Sequence, residues 1–462
     1  MNMSIHNSMI HPQSEVYPDL ENSQQFLEEV RLYLEKYPET EHVDVCLHDL
    51  NGHLRGKRID IKTLNNLAKG CYFPLSIYGM SLDGNVVEET GLGKYIGEPD
   101  RLCMPVPGTL KPCALQPETH AQVYVSMQNE NGSDCLYEPR NQLKKIIRQF
   151  NKINIFPIMG SEIEFYLFEN QSTPSSTSQN ISQCFDVDAP DDYKNVLQQI
   201  EIEAKRQKIE MTAIVAESAS GQYEINLQHT RDILKICDDI FAMKRIVKQI
   251  ATTHGLNACF MAKPDMDKAG SGLHFHMSLQ DQNNKNIFSH HDIQQPNPTL
   301  TKVLAGLLDL MPASMAILAP NINSYRRFQF GSHVPLEANW GINNRNVAIR
   351  LPCTDQENQR LEYRVAGADS NCYLCCAVIL IGVLHGLQHD FILEKPSHLK
   401  KLNDSHNFLP IRQLEALHRF EKNLTLKKYL GEDFVRLWLT CKRHEYEMVQ
   451  NHITDIEIGW NI

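Results

Sequence analysis

The sequence lacks an excess of basic residues, a long apolar run and a recognisable leader. Its 462 residues include 45 Lys and Arg against 56 Asp and Glu, which gives a net charge of −11. Nucleic-acid-binding domains are usually basic, so this balance argues against a nucleic-acid partner. The most apolar stretch, residues 372–387, is shorter than the roughly 20 residues that span a membrane, and it predicts a buried helix with no membrane partner.

The first residues, MNMSIHNSMIHPQSE, have neither the basic start nor the apolar segment of a signal peptide, which predicts a cytoplasmic protein. A disulfide framework is also missing, because the thirteen cysteines are scattered. The close pair Cys372 and Cys375 lies within the apolar stretch. Its Cys-x-x-Cys spacing has a redox or zinc-binding interpretation, but reduced core thiols fit the apolar neighbours better and agree with a reducing compartment.

Hydrophobic periodicity divides the chain into three parts. Residues 22–36 have the apolar spacing of a helix within an N-terminal tail and helix at 1–37. A β-rich domain is expected over 38–134, starting with a strand that ends at the hairpin signal Asn51-Gly52.

A second domain is expected over 138–462, where long helices alternate with strands. A polar loop is predicted at 170–183. Helices are predicted at 140–152, 191–208, 231–254, 298–318 and 371–388.

Four predicted strands of this second domain share an unusual charged face. They lie at 158–168, 221–227, 271–279 and 360–365, and each has apolar residues on the opposite face. A water-exposed polar face is the ordinary interpretation of any one such strand. These faces contain no Lys, and their residues are of types that bind metals and phosphates: Glu162, Glu164, Gln222, Glu224, Asn226, His274, His276, Ser278, Arg360, Glu362 and Arg364.

The carboxylates of these strands, with Glu217 in the loop before the second, would repel one another in a common cavity unless cations were present. Carboxylate oxygens with one imidazole suit Mg²⁺ or Mn²⁺ better than a structural zinc ion. Four arginines on neighbouring segments are candidate clamps for phosphate or carboxylate groups: Arg326, Arg327, Arg345 and Arg350. Metals with arginines form a phosphoryl-transfer site in general form, although no Gly-rich loop ending in Lys is present.

The motifs that carry these residues resemble, in order and spacing, those of the glutamine synthetase superfamily. They are GSEIEFYLF (160–168), ESASGQYEINL (217–227), KPDMDKAGSGLHFHMSL (263–279), NSYRRF (323–328), NNRNVAIRLP (343–352) and RLEYRVAGADSNCYL (360–374). The resemblance implies an α+β fold, with an N-terminal β-grasp domain and a large catalytic domain of antiparallel sheet and flanking helices. It also implies a homo-oligomer of hexameric rings or a dodecamer, ATP as co-substrate, and two or more Mg²⁺ or Mn²⁺ ions.

The resemblance also implies roles for single residues. The metal ligands would be Glu164, Glu217 and Glu224 for one ion and Glu162, His274 and Glu362 for the second. ATP would be bound by His276, Ser278, Arg345, Arg350 and Arg360, and glutamate by Gly270, Arg327 and Arg364. The catalytic residues would be Arg345, His333 on a closing loop, and Asp49, supplied by a neighbouring subunit as the base.

Departures from glutamine synthetases proper bear on the amine. His333 stands where those enzymes have a glutamate that helps to bind ammonium, which argues against ammonia as the amine. Ala269 stands in place of an asparagine and bears on the glutamate contacts instead. Segments such as DLNGHLRGKRI (49–59) resemble the branch that ligates glutamate to putrescine. The alternatives are a glutamine synthetase that uses ammonia, a ligase for another amine, a guanidino kinase and an inactive structural member of the superfamily.

Overall fold

The structure is a computed structural model that describes residues 20–169, 183–187, 193–292, 295–331, 334–397 and 407–460. Most of the loop predicted at 170–183 therefore lies outside the described residues, as does His333. The predicted N-terminal helix is present as α1, Leu20–Lys36. The side chains of Asn22 and Ser23 attach it to the carbonyl groups of Pro105 and Ala68.

A six-stranded sheet follows α1. Its strands are β1 His42–His48, β2 Leu54–Asp60, β3 Cys71–Pro74, β4 Asp100–Pro105, β5 Lys111–Pro112 and β6 His120–Met127. The order is β2-β1-β6-β4-β3, with β5 beside β6, and β1 runs parallel to β6. The predicted hairpin turn at Asn51-Gly52 is confirmed, and Gly52 adopts the left-handed φ of +77° that such turns favour.

A second, eight-stranded sheet carries the four charged-face segments. Its strands are β7 Phe156–Glu169, β8 Met211–Ala216, β9 Gln222–Thr230, β10 Leu256–Cys259, β11 Leu273–Gln280, β12 Trp340–Ile342, β13 Ile349–Leu351 and β14 Leu361–Tyr363. The order is β12-β13-β14-β11-β7-β9-β8, with β10 beside β7. The four predicted strands are thus the consecutive neighbours β14, β11, β7 and β9. The sheet is antiparallel as predicted, except that β12 and β13 run parallel.

Ten α-helices follow the first sheet among the described residues. They are α2 Pro139–Lys152, α3 Lys194–Arg206, α4 Ile233–Thr253, α5 Pro298–Leu318, α6 Ile322–Tyr325, α7 Cys372–Gln388, α8 Gln413–Lys422, α9 Leu424–Leu430, α10 Glu432–Gln450 and α11 Asp455–Gly459. The five predicted helices correspond to α2, α3, α4, α5 and α7. The mixed fold of helices and sheets is therefore as predicted, whereas the division at residues 134 and 138 stays a prediction.

Helices α5 and α7 pack closely because glycines face each other. A Cβ added at Gly306 of α5 would lie 2.3 Å from the Cα of Gly386 of α7. Among the described helices, α5 is long and apolar enough to cross a membrane, but 72% of its most apolar window is buried inside the protein. It is accordingly a core helix of the fold.

The cysteines of α7 are buried free thiols. Cys372 and Cys375 are fully buried, and the Sγ atoms of Cys376 and Cys237 lie 3.6 Å apart between α7 and α4. Burial raises the pKa of the Cys375 thiol, which keeps it protonated. No cysteine occurs in the metal-ligating groups found among the described residues, so a core role agrees with the structure.

Candidate active site

The register of the second sheet brings the charged faces together. Glu162 of β7 lies opposite His274 of β11, and Glu164 lies opposite Glu224 of β9. Glu362 of β14 lies opposite His276 of β11. Because side chains directly across two strands share a face, strands far apart in sequence place their polar side chains over one patch of the sheet.

Two groups of side chains in this patch have the spacing of metal ligands. Glu162, His274 and Glu362 each offer one atom, and these atoms lie within 4.8 Å of one another. Glu164, Glu224 and His274 form the second group by the same criterion. Both contain His274, whose Nδ1 lies 3.1 Å from Glu162 Oε2 and whose Nε2 lies 3.8 Å from Glu164 Oε1. The structure thus brings together five of the six predicted metal ligands.

Glu217, the sixth predicted ligand, belongs to neither group among the described residues. It lies between β8 and β9, and its backbone N–H donates to Gln222 at 2.9 Å. Burial and the negative charge of Glu164 raise the pKa of Glu217 to about 7, so Glu217 lies within electrostatic range of the patch.

The electrostatics of the patch fit a cation. Burial, then repulsion from Glu162 and Glu164, raises the pKa of Glu224 to about 9. Burial also opposes ionisation of Glu162, but hydrogen bonds with His274 and His276 hold its pKa well below the usual range. Divalent cations would offset this repulsion, and the oxygen-rich donors are those that Mg²⁺ and Mn²⁺ prefer.

Buried and partly buried arginines border the acidic patch. Arg350 Nη1 donates to Glu362 Oε2 at 2.8 Å, and Arg364 donates to the other oxygen of Glu362. Arg327 is 4% exposed and donates to the carbonyl groups of Val365 and Ala366. The Nε atoms of these three arginines are buried without a hydrogen-bond partner in the described part of the chain. A guanidinium group that keeps such an unpaired nitrogen suits an anionic ligand.

The other two predicted arginines differ from these. Arg345 lies in the exposed loop before β13. Its positive charge partly offsets the rise in the pKa of nearby Glu217, which places Arg345 at the rim of the patch. Arg326 is exposed, whereas its neighbour Arg327 is buried, so only the second arginine of NSYRRF faces the site.

The predicted Gly270 allows Arg327 to approach the strand. A Cβ at Gly270 would lie 2.6 Å from the carbonyl oxygen of Ala262 and 2.8 Å from Cγ of Arg327. A Cβ at Gly272 would lie 2.7 Å from Arg327 Nη2 and from His274 Nε2. The two glycines of the Gly-Ser-Gly segment therefore let the Arg327 and His274 side chains lie close to the backbone, in addition to allowing a turn.

A cleft of about 410 Å³ opens on the other side of Glu162 and contains the predicted nucleotide-side residues His276, Ser278 and Arg360. Arg360 Nε lies 3.4 Å from His276 Nδ1. The sequence interpretation missed several of its polar lining residues: Thr212, Gln228, His229, Asn286, Glu357 and Asn358. Gln228 continues the alternation of Glu224 and Asn226 on β9 and could have been found, whereas the loop residues have no such pattern.

The structure does not present Asp49 to a substrate within one chain. Its side chain is fully buried, and Oδ1 accepts hydrogen bonds from the N–H groups of Asn51 and His53 at 2.9 Å. Its Oδ2 accepts from Arg55 Nε at 2.8 Å. This is the geometry of a residue that stabilises a turn, and the role as base in a neighbouring subunit's site stays a prediction. The predicted catalytic His333 lies outside the described residues.

The fold and the patch together define a class of protein. Two metal-ligand groups on one sheet, buried arginines with unpaired nitrogens and a nucleotide-sized cleft are the parts of a metal-dependent phosphoryl-transfer centre. A family model described as "Glutamine synthetase, catalytic domain" matches residues 136–461. The chain belongs to the glutamine synthetase family, which confirms the resemblance found in its motifs.

Relatives and solved structures are similar over nearly the whole chain. The chain is 46% identical over 446 residues to "Gamma-glutamylputrescine synthetase PuuA" of Escherichia coli (strain K12), covering 94% of each protein. It is 31% identical over 385 residues to "Glutamate--isopropylamine ligase" of Pseudomonas sp, covering 80% of this chain and 82% of the relative. A "GmaS/ADP complex" has the same fold, with a TM-score of 0.82 at 23% identity, covering 93% of this chain and 98% of that one.

Proposed function

We propose that this protein joins the γ-carboxylate of L-glutamate to an amine with hydrolysis of ATP to ADP and phosphate, and that putrescine is its preferred amine. The observation that carries the proposal is the 46% identity, over 94% of both chains, to a protein named γ-glutamylputrescine synthetase. The geometry of the acidic patch supports an active enzyme, because all five ligands of the two groups are in place. That completeness disfavours an inactive structural member.

The roles follow the geometry. Glu162, His274 and Glu362 would hold one divalent ion, and Glu164 and Glu224 would hold a second with the help of Glu217. Bound Mg²⁺ or Mn²⁺ would supply Lewis-acid stabilisation of the phosphate charge. The cleft with His276, Ser278 and Arg360 would take the nucleotide.

The arginines would orient the two anionic substrates. Arg327, which packs against Gly270, and Arg364 would bind the glutamate carboxylates through their guanidinium groups, each of which keeps one unpaired nitrogen in the described structure. Arg345 and Arg350 would offset the negative charge that develops as the γ-phosphate moves to the glutamate γ-carboxylate. The product of this step is γ-glutamyl phosphate, and the amine then attacks its carbonyl carbon and releases phosphate.

The choice of amine rests on His333 and on the relatives. A glutamate at that position would help to bind an ammonium ion, and its replacement by His333 disfavours ammonia. A second relative is named for isopropylamine, whereas proteins named glutamine synthetase are 26–28% identical to this chain. We therefore place an alkyl diamine before ammonia. An oligomer of hexameric rings and a cytoplasmic location belong to the same proposal.

Product identification tests the proposal. Purified protein would be incubated with ATP, Mg²⁺, glutamate and one amine at a time: putrescine, spermidine, isopropylamine, ethanolamine or ammonium. We expect the mass of γ-glutamylputrescine and the highest kcat/KM with putrescine. A higher kcat/KM with ammonium would identify a glutamine synthetase instead. A preference for another amine would identify a ligase specific for that amine.

A further inference from the structure

A single asparagine joins two segments of the candidate glutamate site. Asn323, in helix α6, accepts a hydrogen bond at Oδ1 from the backbone N–H of Lys263 at 2.9 Å. Its Nδ2 donates to the backbone carbonyl of Lys263 at 2.8 Å. The side chain thus pairs with both backbone groups of one residue, much as a neighbouring β-strand would. These two hydrogen bonds fix the register of the two segments as well as the distance between them.

The joined segments carry the groups assigned to glutamate. Four residues after Asn323 comes Arg327, whose Nη1 bonds to the carbonyl groups of Val365 and Ala366. Seven residues after Lys263 comes Gly270, whose missing Cβ makes room for the Arg327 side chain. The chain after β14 holds Arg327 Nη1, and the bond from the Ser271 N–H to the Ala262 carbonyl holds the loop of Gly270. The placement of Arg327 against Gly270 therefore also depends on how the two segments are aligned.

Further side-chain hydrogen bonds of the α6 segment go to Asp369. Asp369 Oδ2 accepts hydrogen bonds from Asn321 Nδ2 at 2.9 Å and from Ser324 Oγ at 2.7 Å. These bonds attach α6 to the chain that follows β14. They leave Asn323 as the residue whose side chain links α6 to the loop at 262–272 in the described structure.

We propose that Asn323 is a positioning residue for the amino-acid substrate: it sets the alignment of Arg327 with the Gly270 loop and so determines the affinity for glutamate. The inference rests on the proposed function, since it takes Arg327 and Gly270 as the glutamate-binding groups. Asn323 itself contacts backbone only and takes no part in the chemical steps.

A second asparagine offers a matched comparison on the nucleotide side. Asn286 Nδ2 donates to the carbonyl groups of Glu357 at 2.9 Å and Gln359 at 2.8 Å. It thereby holds the segment that leads to Arg360 in the nucleotide cleft. Asn323→Ala and Asn286→Ala each remove one side-chain amide that bonds to backbone, but on opposite sides of the acidic patch.

Steady-state kinetics of the two variants test the inference. Misplacement of a substrate-positioning group by about 1 Å costs on the order of 100-fold in activity, so Asn323→Ala should raise the KM for glutamate about tenfold or more. The KM for ATP should stay within about twofold of the wild type. Asn286→Ala should show the opposite split, with the KM for ATP raised and that for glutamate unchanged.

Thermal stability provides a readout that does not need turnover. The increase in Tm that glutamate produces should be lost in Asn323→Ala, while the increase that ATP with Mg²⁺ produces remains. If Asn323→Ala does not fold, Asn323→Asp, which keeps the acceptor for the Lys263 N–H, is measured in the same way. Equal changes of both KM values, or an unchanged KM for glutamate, would overturn the inference. Absence of glutamate-dependent ATP consumption in the wild type would instead refute the proposed function.

Discussion

Glu224 has the most strongly raised pKa among the candidate metal ligands, and it shows why the patch calls for a cation. Burial and the charges of Glu162 and Glu164 raise its pKa to about 9. A carboxyl whose pKa is higher in the folded than in the unfolded protein destabilises the fold as pH rises towards the folded pKa. Without metal, the ionised site therefore works against folding.

This leads to a prediction for the metal-free protein. In EDTA, the Tm of the wild type should fall between pH 7 and pH 9, a window above the unfolded pKa of Glu and His and below the folded pKa of Glu224. Glu224→Gln, which cannot ionise, should fall less. Differential scanning fluorimetry measures both, and Mg²⁺ should restore the wild type but not the variant. Parallel pH profiles of the two proteins in EDTA would contradict the assignment.

Glu164 provides the corresponding test of activity. Its Oε2 accepts a hydrogen bond from the Gly272 N–H at 2.7 Å, and it pairs with no arginine in the described contacts. Glu164→Ala should therefore abolish turnover while the protein remains folded and assembled. Removal of Glu362 is a poorer test, because it would leave Arg350 and Arg364 without their shared carboxylate, a change that costs about 3–5 kcal/mol in buried pairs. Full activity of Glu164→Ala with Mg²⁺ present would refute the metal assignment.

A substitution of Asp49 distinguishes the turn-stabilising role that its hydrogen bonds indicate from the role as base that the resemblance implies. If its role is to hold the turn through Asn51, His53 and Arg55, Asp49→Asn should lower the Tm while the folded fraction keeps most of its kcat. If it is the base for the amine, as the resemblance implied, the variant should lose kcat by more than about 100-fold, the scale of general-base catalysis, without a comparable loss of stability. Far-UV circular dichroism with amine-dependent kinetics distinguishes the two results.

At the scale of elements, the charged-face strands β7 and β11 could be predicted because their alternation is long and regular. Residues 158–168 and 271–279 alternate over a whole strand, and the structure forms β7 and β11 there. The parallel pair β12–β13 could not be predicted, since each strand has three residues and too little sequence for a period to show. The order of the strands depends on tertiary packing. The residue types of the four faces indicated a common cavity, whereas the division of the ligands between two metal ions came from the motif resemblance.

Long-range anchors are another part of the fold that periodicity does not reveal. The fully buried Lys442 of α10 donates to Asn51 and to Glu445, and Glu445 accepts from Asn51 Nδ2 at 3.0 Å. These bonds join the last long helix to the first hairpin across nearly 400 residues of sequence. Each of these residues looks like an ordinary polar surface residue when only its neighbours in sequence are considered.

The contact between α5 and α7 supports a prediction about stability. Gly306→Ala would place a methyl group 2.3 Å from backbone atoms of Gly386 and 2.6 Å from the carbonyl oxygen of Gly382. The helices must separate, and overpacking of this kind costs about 1–3 kcal/mol. Thermal unfolding should show a lower Tm than the wild type. Gly459→Ala on α11 is the control, because no described atom beyond the adjacent helix backbone lies within 4 Å of the added group. An equal Tm for both variants would contradict the packing described here.

At the scale of the whole molecule, the similarity to the Escherichia coli relative covers 94% of the chain. It therefore includes both sheets and the helices as well as the acidic patch. The sequence predicted the family, the fold class and most of the residues that the acidic patch brings together. It could not show which candidate site residues are buried and paired, as Asp49 is, or exposed, as Arg326 is. Those properties depend on neighbours that are remote in sequence.

The identity of the amine tests the central proposal most directly. The measurement is kcat/KM for putrescine and for ammonium with the same preparation, at saturating ATP, Mg²⁺ and glutamate, with the product identified by mass spectrometry. The account predicts γ-glutamylputrescine and a kcat/KM for putrescine well above that for ammonium. Glutamine as the main product, with the higher kcat/KM for ammonium, would contradict it.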